Sequence, residues 1–175
     1  MKNQIAVVFG SSSIKKDSFS YQEGIDCGKL LGSLDINVMT GGYGGIMEAV
    51  SCGASSFGLD VIGVTSETFT FRPEGANSYI TKEIVAPNII ERIQIMVKKA
   101  SFFIVMPGNI GTLNELIMIL TLFKVGESSK KLYVWKTPFY EGLKSLQKIG
   151  ILDKSVLGSI IWIDNVSELN YFLKD

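Results

Sequence analysis

The chain has 175 residues, enough for one domain with a substantial core. Apolar residues make up 46% and charged residues 19%, a globular rather than a disordered balance, and 17 basic against 17 acidic side chains argue against nucleic acid or an anionic membrane as partner. Histidine is absent, which excludes histidine-based triads and most zinc sites, so acid–base chemistry falls to Asp, Glu, Lys, Tyr, Cys or bound water.

In chain order, "QIAVVFG" (4–10) is a valine-rich apolar run that predicts a buried strand. It is too short for a signal peptide, and no stretch approaches the roughly 18 apolar residues of a membrane span. The loop "SSSIKKDS" leads to a helical pattern over 19–33, a strand at 36–40 and the sharp turn "GGYGG" (41–45). "IMEAVSCGASSFG" predicts a helix with Gly58 at its end, and "DVIGVTS" (60–66) a third strand. Residues 67–87 are polar and carry Pro73, Gly75 and Pro87, so they read as one long irregular stretch, the kind that is often functional. Asn88 is an N-cap for a helix to about Ala100, and "FFIVM" (102–106) is a fourth strand. After the turn "PGNIG" come a helix at 113–124, a strand at 131–136, a helix at 139–149, a strand at 160–163 and a helix at 166–174.

Strands that are continuous apolar runs and alternate with helices predict a parallel sheet covered on both faces. Right-handed crossovers make it doubly wound, an α/β fold of three layers in a single domain over 1–175. Ligands of such sheets bind beyond the carboxyl ends of the strands. The turns "GSSS" (10–13), "GGYGG" and "PGNIG" (107–111) all fall there. Cys27 and Cys52 lack CxxC spacing and read as buried thiols of a reducing compartment, which puts the chain in the cytoplasm.

A helix N-terminus offers unpaired N–H groups and a partial positive charge of roughly half an electron, and glycines let an anion approach closely. "GGYGG" and "PGNIG" supply this twice, with the Thr112 hydroxyl as a further donor. Neither turn is a GxxxxGK[ST] or a GxGxxG, and no acidic residue is well placed for a dinucleotide ribose. A mononucleotide or sugar phosphate fits better than NAD.

"TLNE" (112–115) matches the capping box T-x-x-E, with Thr112 as N-cap and Glu115 reaching back to it. Met118, Ile119 and Leu122 share the Glu115 face, and the helix is apolar almost all round, which predicts burial. A carboxylate there calls for a wet cleft above it. The two readings are compatible. Arg92 lies on the margin of the apolar stripe Ile89, Ile93, Met96 and Ala100. It is either an arginine on a solvated flank or one leaning into the cleft beside Glu115, and spacing alone does not decide.

"ER" (91–92) followed by "PGNIGTLNE" (107–115) resembles the Lonely Guy (LOG) family, whose signature is an arginine in a short helix and then PGGxGTxxE. "GSSS" and "GGYGGIMEAV" also resemble its loops, and the likeness spans residues 4 to about 125. The resemblance implies a Rossmann-like homodimer that cleaves the N-glycosidic bond of nucleoside 5′-monophosphates such as AMP, with no cofactor. By that resemblance Arg92 and Glu115 are the catalytic pair. Gly108, Asn109, Gly111 and Thr112 bind phosphate, helped by Gly41, Gly42, Gly44 and Gly45, and Ser11 lies near the nucleotide. Asn109 replaces the second Gly of PGG and tolerates positive φ better than most residues. Ile90 stands where the family often has His, and Ile93 where it often has a basic residue. The second loop is closer to relatives that include molybdenum-cofactor carriers. The loop 67–87, with Arg72, is expected to border the base. Some relatives carry a lysine decarboxylase label, for which the chain offers no convincing PLP lysine.

Overall fold

The computed structural model describes residues 4–69 and 75–174. The chain runs through β1 (Ile5–Phe9), α1 (Phe19–Ser33), β2 (Asn37–Thr40), α2 (Ile46–Ser55) and β3 (Val61–Ser66). Next come β4 (Lys82–Ala86), α3 (Ile89–Lys99), β5 (Phe102–Val105) and α4 (Ile110–Lys124). It ends with β6 (Leu132–Trp135), α5 (Lys136–Lys148), α6 (Lys154–Leu157), β7 (Ile160–Ile163) and α7 (Val166–Lys174).

Among the described residues the strands form one seven-stranded sheet in the order β4-β3-β2-β1-β5-β6-β7, and every neighbouring pair is parallel. The expected α/β fold is present. Period-two alternation sorts each strand's side chains to two faces. Val7 and Phe9 of β1 join Phe103 and Val105 of β5 in a core closed by Leu116 and Ile119 of α4. Ala6 and Val8 face the opposite core, closed by Leu31 of α1 and Val50 of α2. Both faces are thus covered, which is why the strands read as unbroken apolar runs.

From β1 the chain winds outward to β4 and then returns to the far side of β1 as β5. The switch point therefore lies between β1 and β5, where Phe9 stands opposite Val105. The loops stay joined beyond it, the Ser11 N–H donating to the Pro107 carbonyl at 3.1 Å.

Four expectations need correction. The stretch 67–87 contains a strand, β4, whose residues are largely exposed. Among the described residues it is an edge strand, paired with β3 alone, so its sequence lacks the apolar signature of the central strands. Gly58 lies three residues beyond the end of α2, in a turn at φ 69°. The helix α4 starts at Ile110, three residues earlier than expected, and it is not buried all round: Thr112, Leu116, Ile119 and Leu120 are buried while Ile110 is 79% exposed. Of the two free thiols Cys27 is buried, and Cys52 only half-buried. The short α6 has no counterpart in the sequence reading. Among the described residues no helix is long and apolar enough to cross a membrane.

Candidate functional site

Arg92 is set by the start of α3. The Asn88 side chain accepts hydrogen bonds from the Ile90 and Glu91 N–H groups, both at 3.0 Å, and so fixes where the helix begins. Arg92 then faces inward and is 5% exposed, which rules out the solvated flank. A buried guanidinium needs polar and aromatic partners. Its Nε donates to the Val64 carbonyl of β3 at 2.6 Å. Its Cζ lies 5.6 Å from the centre of the Tyr43 ring and 5.8 Å from that of Phe69. Behind it sits Gly41, where a Cβ would fall 1.7 Å from the Arg92 Nη2, so no side chain fits.

Glu115 is set by α4. The N-cap of this helix is Asn109, in extended backbone at φ −98°, with no side-chain cap bond. The capping box is therefore not formed. Thr112 is the third helical residue and Glu115 the sixth, a turn too deep to cap anything. Asn109 does not use its tolerance of positive φ; an extended N-cap suits it as well as it suits glycine. The Glu115 side chain is 12% exposed, and its Oε1 lies 3.7 Å from Arg92 Nη1. Burial pushes its carboxyl from the ordinary 4.5 up to about 7, with the Arg92 charge pulling the other way. A charge-assisted hydrogen bond spans about 2.7–2.9 Å. At 3.7 Å the two groups are neighbours without being locked together, which leaves the carboxylate oxygens able to face a third group.

The two residues meet at the floor of a cleft of about 260 Å³ beyond the switch point. Ser11 and Ser12 follow β1, Tyr43 and Met47 flank the start of α2, and Asn109, Gly111 and Thr112 open α4 along its border. Both α2 and α4 begin here without a side-chain cap, whereas α1 and α3 are capped by Ser18 and Asn88. The first amides of a helix have no acceptor within it. The first α2 amide, Ile46 N–H, is taken by the Ser11 carbonyl at 2.9 Å, so the α4 start is the one that brings open amides to the cleft border, where among the described residues there is no lysine.

Of the residues singled out from sequence, Arg92, Glu115, Ser11, Asn109, Gly111 and Thr112 border the cleft together. Gly108 does not; it gives room to Thr112, whose Oγ1 would lie 2.2 Å from a Cβ there. Gly41, Gly42, Gly44 and Gly45 do not border it either and shape the turn behind it. Gly45 has φ 65° and packs against the Ser11 carbonyl, the backbone form and closeness that only glycine accepts cheaply. Arg72 falls outside the described residues. Sequence reasoning missed Tyr43, Met47 and Phe69, which give the cleft its apolar side. It also missed Asn77, whose Nδ2 donates to the carbonyls of Gly42 and Tyr43, each at 3.0 Å. Tyr43 was detectable as the bulky residue inside a glycine turn; no local pattern marks Asn77.

Fold and cleft define an α/β protein with a cleft at the topological switch point of its sheet. Residues 47–171 match the family model described as "Possible lysine decarboxylase". The chain is 31% identical over 172 residues to a protein of Oryza sativa subsp. japonica named probable cytokinin riboside 5′-monophosphate phosphoribohydrolase, covering 94% of this chain and 74% of the relative. It is 30% identical over 138 residues to the cytokinin riboside 5′-monophosphate phosphoribohydrolase of Mycobacterium marinum, covering 75% and 72% of the two chains. The molybdenum cofactor carrier protein of Chlamydomonas reinhardtii has the same fold, with a TM-score of 0.75 at 18% identity over 99% of this chain and 97% of that one. This chain belongs to the LOG family.

Proposed function

We propose that the protein hydrolyses the N-glycosidic bond of a purine nucleoside 5′-monophosphate, AMP or an N6-substituted AMP, giving the free base and ribose 5-phosphate. The observation that carries this reading is the placement of a buried carboxyl, Glu115, 3.7 Å from Arg92 in a cleft that the uncapped start of α4 borders. The names of the relatives support the same class of reaction.

The phosphate binds at the start of α4, on the amides of Gly111 and Thr112 and the Thr112 hydroxyl, with Ser11 and Asn109 beside it. That anchoring positions the ribose over Glu115. Departure of the base leaves an oxocarbenium-like sugar, whose positive charge the carboxylate stabilises. A carboxyl titrating near the working pH is also suited to take a proton from the attacking water. The water oxygen bonds to the anomeric carbon, and the base leaves with the glycosidic electron pair and a proton. Arg92 holds the phosphate–ribose region. The base rests on the apolar side made by Tyr43, Met47 and Phe69.

The test is release of ribose 5-phosphate from AMP by wild type and Glu115→Gln. Turnover by wild type and its loss in the variant are expected; equal turnover removes Glu115 from the mechanism. A protein stabilised thermally by AMP that releases no base would instead be a carrier. We further propose a homodimer formed through α3 and α4. Between them runs a groove of about 660 Å³ with Ile90, Val97, Met118 and Leu122 along it, and Ile90 is 66% exposed. Light scattering should give twice 19.2 kDa, and a mass of one chain refutes the pairing.

A further inference from the structure

We propose that Tyr43 is a positioning residue: its ring, fixed at both ends, holds the Arg92 guanidinium in place beside Glu115. The role assigned to Arg92 and Glu115 rests on the function proposed above; the geometry of the clamp does not. The guanidinium lies over the Tyr43 ring with Cζ 5.6 Å from its centre, within the range of a cation–π contact. The Tyr43 hydroxyl accepts a hydrogen bond from the Ser66 N–H at 2.9 Å. That bond ties the tip of the ring to β3, the strand whose Val64 carbonyl takes the Arg92 Nε. Phe69 lies beside both, its ring centre 5.6 Å from that of Tyr43 and 5.8 Å from the Arg92 Cζ. One strand and two rings therefore confine one guanidinium.

The backbone end of Tyr43 is fixed by Asn77. Its Nδ2 donates to the Gly42 and Tyr43 carbonyls, each at 3.0 Å, and its own N–H donates to the Gly42 carbonyl at 2.7 Å. The amide is itself held, since its Oδ1 accepts from the Tyr79 N–H at 3.2 Å. In a planar trans peptide the N–H points opposite the C=O. With both carbonyls drawn to Asn77, the Tyr43 and Gly44 peptide planes cannot rotate freely, so the Tyr43 side chain leaves the turn in one direction. A glycine-rich turn without this tie would let the ring, and Arg92 with it, wander.

The readout is the position of the Arg92 charge as Glu115 senses it. Arg92 on α3 is the charged group acting on that carboxyl. Among the described residues bordering the cleft, Arg92 and Glu115 are the charged side chains. An opposite charge at this range lowers a carboxyl's titration midpoint by about one pH unit or more. Displacing Arg92 removes that pull.

The experiment is an NMR pH titration of the Glu115 side chain in the free protein, for wild type, Tyr43→Leu, Tyr43→Phe and Asn77→Ala. Tyr43→Leu and Asn77→Ala should raise the midpoint, by up to about one pH unit. Tyr43→Phe keeps the ring but frees its tip from the Ser66 N–H, and should give a value between wild type and Tyr43→Leu. A wild-type midpoint in both Tyr43→Leu and Asn77→Ala, or a Tyr43→Phe protein displaced as far as Tyr43→Leu, overturns the proposal. Should Tyr43→Leu not fold, Asn77→Ala alone decides by the same measure. With AMP as substrate the displaced variants should lose about tenfold or more in kcat with a smaller change in KM. If wild type releases no base from any nucleotide, the hydrolase reading fails while the titration still judges the clamp.

Discussion

Replacing Glu115 by glutamine takes a titratable group out of the cleft while keeping its size, and the effect on stability should depend on pH. In the folded protein the carboxyl titrates at about 7 because it is buried; in the unfolded chain it titrates near 4.5. Between those values the unfolded chain carries the charge and the folded one does not. Folding then takes up a proton, so this group's contribution to stability is full below 4.5, falls as pH rises through the window, and is lost above about 7. At ~1.36 kcal/mol for each tenfold change in proton affinity, the interval from 4.5 to about 7 amounts to about 3 kcal/mol. The Gln variant has no proton to take up at this position. Urea unfolding of both proteins at pH 5 and pH 8 isolates the difference, since every other group titrates alike in the two. Because pH 5 already lies above 4.5, wild type should lose about 2–3 kcal/mol more than the variant over that range. Parallel losses would show that the carboxyl is not held in the environment described, and the argument for a near-neutral base would go with it.

Gly41→Ala places a methyl where the Arg92 Nη2 rests, so it should displace the guanidinium and abolish most AMP turnover, with a stability cost of about 1–3 kcal/mol by chemical denaturation. Arg92→Lys keeps the charge but gives up the Nε bond to Val64 and the planar stacking on Tyr43; kcat/KM should fall at least about 100-fold, measured by base release. Asn88→Ala removes the α3 cap and should cost about 1 kcal/mol in urea unfolding, with some loss of activity because the same turn carries Arg92.

The layered sheet was readable because its evidence is local: each central strand is a short unbroken apolar run, and its burial on both faces follows from that. β4 escaped notice because Lys82 and Glu83 are exposed and its pairing comes from β3, some twenty residues earlier. The misreading of Thr112 and Glu115 has a specific cause. T-x-x-E is a genuine local signal, but the helix already begins at Ile110, with Asn109 as its N-cap, so Thr112 and Glu115 fall inside it. Arg92 was ambiguous for a related reason. Its helical angle puts it on a margin, and only Val64, Tyr43 and Gly41, from two other strand ends, turn that margin inward. Glu115 was picked out correctly as a carboxylate on an apolar face; its proximity to Arg92 is a tertiary fact.

The outermost strand next to β3 also bears on how the protein behaves in crowded solution. A free strand edge is a template on which another chain can zip. Here it is only five residues long, and its two leading charges are tied to their own molecule: Lys82 to Asp60 at 2.7 Å, and Glu83 to the Thr65 hydroxyl at 2.6 Å. An incoming backbone would meet charged side chains at that rim, which disfavours fibre-like stacking from this side even though Val85 stands 54% exposed.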